Sequence, residues 1–348
     1  MTQAYFIIPG LLLSSKEAAG SLSSKTLDAI NSLTKGASDP VKQTLCLPYR
    51  KGSTHLAWCW KVLTRSNRPF ATAPYRWVMQ GGPRLAGEIW RLSVLQENHR
   101  AETVGFSNLA EDAVEKIAVN LRPVLQEEGF ILQHWDSSLF LTRKTPWGIS
   151  ACETETLVGK KFPGTEVLES PKEERLQQAY AFLLRLRETL RNLAIENADS
   201  LWIDGGGEAI DFYPPTQIRS VLADDPAIIG WAQACGILNH RTAPSCGAKN
   251  WPADAPRGAV IAVLSDFYDP WIRQDADLWN QAAEAVAKQI ATLKEAARLR
   301  GCDEALIVAC GETATKTFTV KLSNPRSLLS RLRPTKSPQA ETWLYEED

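Results

Sequence analysis

The chain has 348 residues and a formal net charge of -1, with 23% charged and 44% hydrophobic residues. That length supports two modest domains with sizeable cores. The near-neutral charge argues against a broad nucleic-acid footprint, which needs a strongly basic face. No apolar run approaches the ~20 residues of a membrane span, and the opening segment lacks the basic flank of a signal peptide. Seven cysteines form an odd count without a C-x-x-C pair, and four histidines are scattered. No zinc spacing or disulfide framework results, so reduced thiols in a cytoplasmic protein are expected, with no cofactor and no metal. The chain holds twelve tryptophans, which read as core and rim packing.

In chain order, Tyr5 to Leu13 reads as a buried first strand, within a segment 1–13 assigned to an α/β core. Residues 14–70 are mixed and mostly helical, punctuated by Pro40, Pro48 and Gly52. Residues 71–150 read as a β-β-α-β-β insertion. Its strands are Arg76–Met79 and Ile89–Val94 about Gly81-Gly82-Pro83, then a hairpin of Phe130–Gln133 and Ser138–Thr142. Between them Val114, Ile117, Leu121 and Leu125 recur at helical spacing after a cap at Ser107 or Asn108.

A Pro- and Gly-rich linker leads into a block alternating helix and strand, so 151–325 is assigned to the α/β core. Its helices cover about 171–196, 227–235 and 277–299. The apolar runs Leu201–Ile203, Ala259–Leu264 and Ala305–Ala309 have the character of strands covered on both faces. Together with Phe6–Ile8 they are expected in one mostly parallel sheet flanked by helices, with the α+β domain inserted. Residues 326–348 are expected to form a flexible tail.

Asp204-Gly205-Gly206-Gly207-Glu208 follows the Leu201–Ile203 run. Three consecutive glycines suit a tight turn with close backbone approach, and a turn at a strand's carboxyl end is where ligand crevices form. Neither a P-loop Lys-Ser/Thr nor a G-x-G-x-x-G spacing is present. Exposed backbone N–H groups at such a turn suit a small anion. Asn239, His240 and Arg241 are the expected opposite wall, with Arg241 able to grip an anion bidentately. Asp204, Asp266 and Asp269 would converge if their strands were neighbours, the one cluster that acid/base chemistry could use. Strand-end acids are also ordinary caps and turn formers, and no catalytic residue is assigned.

Four segments carry a family resemblance: Tyr5 to Leu12, His134 to Leu141, Ser200 to Gly207 and Phe318 to Val320. Their order resembles the RpfE-type regulatory proteins of proteobacteria over most of the chain. The resemblance implies a bacterial, non-catalytic regulatory protein whose partner is another protein or a small anionic metabolite. The strand–glycine segment and Leu157 to Pro163 are also similar to archaeal-type cofactor-independent phosphoglycerate mutases of the alkaline-phosphatase-like superfamily. Those enzymes use Asp and His metal ligands with a Ser nucleophile. Here no Asp-Gly-x-x-Asp-like segment follows the first strand, so that likeness implies a pared-down, metal-free relative. An enzyme acting on a phosphorylated metabolite is the alternative.

Overall fold

The computed structural model describes residues 2–14, 22–44, 51–135, 138–212, 217–237, 239–241, 257–322 and 337–346. In chain order the elements begin with β1 (Gln3–Ile8), α1 (Ser24–Leu33), β2 (Val41–Thr44), α2 (Thr54–Thr64) and α3 (Ala73–Met79). Then come β3 (Glu88–Asn98), β4 (Thr103–Phe106), α4 (Glu111–Glu127), β5 (Ile131–Trp135), β6 (Ser138–Arg143), β7 (Ser150–Ala151) and β8 (Leu168–Glu169). The last are α5 (Glu173–Asn192), β9 (Ser200–Glu208), β10 (Ile218–Leu222), α6 (Pro226–Ala234), β11 (Asn239–Arg241), β12 (Ala259–Val263), α7 (Tyr268–Ile272), α8 (Ala276–Leu299), β13 (Glu304–Cys310), β14 (Ala314–Lys321) and α9 (Ala340–Trp343). They fall into two compact units, one of residues 1–46, 54–67 and 212–348, the other of 47–53 and 68–211.

The first unit is α/β. Its seven described strands run in the order β11-β10-β12-β1-β13-β14-β2. The five from β11 to β13 are parallel, and β14 and β2 are joined to them by antiparallel pairings. β12 is buried along its whole length, as its unbroken Ala-Val-Ile-Ala-Val sequence requires of a strand covered on both faces. Ala4, Phe6 and Ile8 of β1 share a core with Ile30 and Leu33 of α1 and Val286, Ile290 and Leu293 of α8. Side chains alternate along a strand, so Tyr5 points to the opposite face, where its ring meets Trp58 of α2 at 5.6 Å. Trp343 and Leu344 are buried in the first core, and the buried ammonium of Lys316 donates to the carbonyls of Trp343, at 2.9 Å, and Tyr345. Residues 337–346 are thus fixed in the core rather than part of a flexible tail. Burying an indole and a leucine there outweighs the entropy of ordering a short terminus.

The second unit is α+β. β3 is long enough to pair with β6 over residues 88–92 and with β4 over residues 95–98, while β5 extends the sheet beyond β6. On its other edge β3 pairs with β9. All these pairings are antiparallel. Val114, Ile117, Leu121 and Leu125 of α4 and Phe182, Leu183, Leu186 and Leu190 of α5 close the core.

Several expectations are corrected. The Leu201–Ile203 run is not in the parallel sheet with Phe6–Ile8, Val260–Val263 and Leu306–Ala309 but in the antiparallel one, so residues 151–211 pack with the second unit. Its apolar character is the same because α5 packs on the strand and Trp202 Nε1 donates to the Cys152 carbonyl at 2.9 Å. Two-faced burial marks a covered strand, not its direction. Arg76–Met79 is helical, with Pro74 in the first turn of α3, a position that suits its fixed φ. Four residues such as Arg-Trp-Val-Met are too few for periodicity to separate strand from helix. The cap of α4 is Ala110, with no side-chain hydrogen bond, instead of Ser107 or Asn108. Cys59, Cys152, Cys235, Cys302 and Cys310 are buried and unbridged. Among the described residues no helix is long and apolar enough to cross a membrane.

Candidate functional site: a buried carboxylate–guanidinium cluster

The three glycines do not form a turn. They lie within β9, where Ile89 pairs with Gly207 and Arg91 with Asp204, so Gly205 and Gly206 together oppose Trp90 alone. This is a β-bulge, which bends a strand and re-aims its side chains. Gly205 takes φ +66°, and a Cβ there would fall 2.2 Å from Thr72 Oγ1. At Gly206 a Cβ would lie 2.1 Å from ring carbons of Trp90. The Gly205 carbonyl accepts from Thr72 N at 3.0 Å. Close packing against Trp90 and Thr72, rather than an open crevice, is what requires glycine here. Gly206→Ala is therefore expected to destabilise this unit by about 2 kcal/mol; urea unfolding indistinguishable from the parent would refute this account.

The bulge holds Asp204, wholly buried, opposite Arg91 of β3. Arg91 grips it with Nε to Oδ1 at 2.8 Å and Nη2 to Oδ2 at 2.6 Å. The same guanidinium makes a second two-pronged pair with Glu155, both bonds 2.7 Å. Glu155 sits on the single 3-10 turn Thr154–Leu157, preceded by Glu153, which is 1% exposed. Glu153 accepts from Thr72 Oγ1 at 2.9 and 3.2 Å. Arg76 of α3 lies 3.2 Å from Glu155 and 3.6 Å from Glu153. Thr154 donates to Asp204 through both its amide and its hydroxyl, and that hydroxyl pairs with Ser93 Oγ at 3.0 Å.

The electrostatics follow from three acids and two guanidiniums sharing one site, in which Asp204 and Glu153 are buried and Glu155 is partly exposed. Burial, helped by the Asp204 charge and opposed by Arg76, pushes the Glu153 carboxyl up to about 7. Burial also disfavours the charged form of Glu155, but Arg76 and Arg91 outweigh it and hold that carboxyl well below the usual range. For Arg91 the burial cost is outweighed by Asp204 and Glu155, and its pKa rises. With Glu153 protonated, two carboxylates face two guanidiniums and the charge cancels. Ligand oxygens of Glu153, Glu155 and Asp204 lie within 4.8 Å of one another, a spacing that suits a divalent ion. The two guanidiniums already supply the positive charge such an ion would bring, so the donor set as arranged does not fit a metal.

Of the residues singled out in the sequence, only Asp204 enters this cluster. Gly205, Gly206 and Gly207 shape the strand beside it. Asp266 and Asp269 belong to the first unit, after β12, where Asp266 accepts from Gln289 at 3.4 Å and Asp269 pairs with Arg273 at 2.8 Å. The expected convergence required Asp204 on a neighbouring strand of that sheet, and β9 is not one. Asn239, His240 and Arg241 form the edge strand β11 of the first unit; their side chains lie outside the described residues. Arg76, Arg91, Glu153 and Glu155 were missed. A signal existed for two of the partners: Arg91 and Ser93 interrupt the apolar Ile89–Val94 run at a spacing of two, which puts both on one face.

No model of a known protein family matches the sequence, and neither does any curated protein. Among solved structures, a cofactor-independent phosphoglycerate mutase from Thermoplasma acidophilum is similar at 10% identity and a TM-score of 0.39, over 92% of this chain and 90% of that one. The PH0037 protein from Pyrococcus horikoshii is similar at 12% identity and a TM-score of 0.42, over 92% of this chain and 87% of that one. Neither likeness bears on the chemistry of the cluster.

Proposed function

We propose that the chain is a non-catalytic regulatory or binding protein, of the RpfE type that its motif order resembles. The observation supporting this reading is the charge balance of the buried cluster. Its acids are engaged by Arg76, Arg91 and the Thr72 and Thr154 hydroxyls, and no other group of three or more metal-ligating side chains occurs among the described residues. Protein purified without chelator should carry well below one equivalent of zinc or manganese by elemental analysis. It should not turn over phosphoglycerates or p-nitrophenyl phosphate when either metal is added. About one or more tightly held ions per chain, or metal-dependent turnover, would overturn the proposal.

One observation favours an enzyme acting on a phosphorylated metabolite. Glu153 and Glu155 are two residues apart, and their environments drive their proton affinities in opposite directions, a pattern that separates acid from base roles. If that reading holds, turnover without added metal appears in the same assays and Glu153→Gln lowers it about a hundredfold.

A further inference from the structure

A cavity of about 350 Å³ in the first unit is lined by Tyr5 of β1, Gln43 of β2, Trp58 and Lys61 of α2, Arg65 just past that helix, and Gln217 beside β10. Trp58, Lys61, Val62 and Arg65 follow the 0, 3, 4, 7 spacing of one helix face. This face carries an ammonium and a guanidinium at its solvent-exposed edge, and among the described residues no carboxylate lines the cavity. Lys61, Arg65, Gln43 and Gln217 are solvent-exposed at the cavity's mouth, and no protein acceptor among the described residues engages either cation. The Tyr5 phenol is spoken for, donating to Gln3 Oε1 at 3.0 Å. Its ring meets that of Trp58 at 5.6 Å between centroids and 57° between planes, which leaves a flat ligand one ring face to lie on and the other ring's edge beside it. Arg65 takes φ +54°, a left-handed conformation that favours glycine. The cations also sit at the carboxyl end of α2, where the helix dipole favours positive charge.

We propose that this cavity binds a small flat anion, an aromatic ring bearing a carboxylate or phosphate. The ring lies on one face of the Trp58–Tyr5 pair with the other at its edge, Lys61 and Arg65 hold the charge, and the Gln43 and Gln217 amides meet polar groups on the ring's edge. The volume suits one ring system with its acid group, at the small end of ligand pockets. Two cations with no carboxylate among the described lining residues set the sign of the ligand, and an adjacent aromatic face sets its shape. The inference extends the binding-protein reading to the other unit but does not depend on it. Binding is read here, whereas metal content and turnover read the cluster, so the two fail separately.

The test is isothermal titration of the full chain with 4-hydroxybenzoate and with AMP, alongside inorganic phosphate and benzamide. At least one of the first two should bind about tenfold or more tightly than phosphate or benzamide, and which one binds identifies the acid group. Lys61→Ala should weaken that binding by about tenfold. Arg65→Gly should do the same while raising or preserving the melting temperature, because it removes the guanidinium and relieves the positive φ. Failure of both probes to exceed the controls, or unchanged binding in both variants, would overturn the assignment.

Discussion

Replacing Arg91 with methionine is expected to lower the stability of the second unit by about 3–5 kcal/mol, the usual cost of stripping one partner from a buried ion pair. The size follows from the geometry. One guanidinium satisfies both oxygens of Asp204 and both of Glu155, so its loss leaves the buried Asp204 and the partly exposed Glu155 facing only Arg76 and the threonine donors. Leaving such charges unpaired costs more than the pairs contribute against an apolar substitute. Arg91→Met combined with Glu155→Gln and Asp204→Asn should therefore recover at least half of the loss. The Asp204→Asn change keeps a carbonyl oxygen that accepts from Thr154, and the triple variant strands no carboxylate beside the missing guanidinium. Urea unfolding followed by a probe within this unit reads both variants. A loss under about 1 kcal/mol for Arg91→Met would show that solvent compensates the freed carboxylates and that the cluster does not hold β3 to β9.

The second expected result is a pH dependence contributed by Glu153. Its carboxyl is pushed up to about 7 in the folded chain by burial and by Asp204, against 4.5 for the unperturbed group. The folded state therefore binds the proton more tightly than the unfolded state. The associated stability is fully present below pH 4.5 and is lost as pH rises through about 7, by about 3 kcal/mol across the window. Glu155 contributes with the opposite sign. Although burial opposes its charge, Arg76 and Arg91 hold its carboxyl low, so its stability is present above pH 4.5 and lost on acidification. Glu153→Gln keeps an acceptor for Thr72 and removes the titrating proton. Between pH 5 and pH 8 the parent should lose stability relative to the variant, and at pH 8 the variant should be the more stable of the two. Urea midpoints at both pH values measure this; parallel slopes for the two chains would mean that Glu153 titrates like an exposed carboxylate.

The parallel core was legible because its information is local. β12 reads Ala-Val-Ile-Ala-Val and β13 contains Ala-Leu-Ile-Val-Ala, and two-faced burial demands such runs. The helices α4, α5 and α8 announced themselves by apolar spacing, which is likewise a property of consecutive residues. Tertiary structure alone decided where Leu201–Ile203 goes. A strand covered on both faces has the same composition whether its neighbour is β1 or β3, and the hydrogen bonds that choose between them join residues more than a hundred positions apart. The glycines were legible as residues that need freedom of backbone and space, but not as a bulge, because the atoms that exclude a Cβ belong to Trp90 and Thr72. The cluster was the least legible part. Asp204, Arg91, Arg76 and Glu153 come from four separate stretches of chain, and each alone is an ordinary charged residue. Only the fold brings them together with Glu155, pairs them, and raises the proton affinity of Glu153 while lowering that of Glu155.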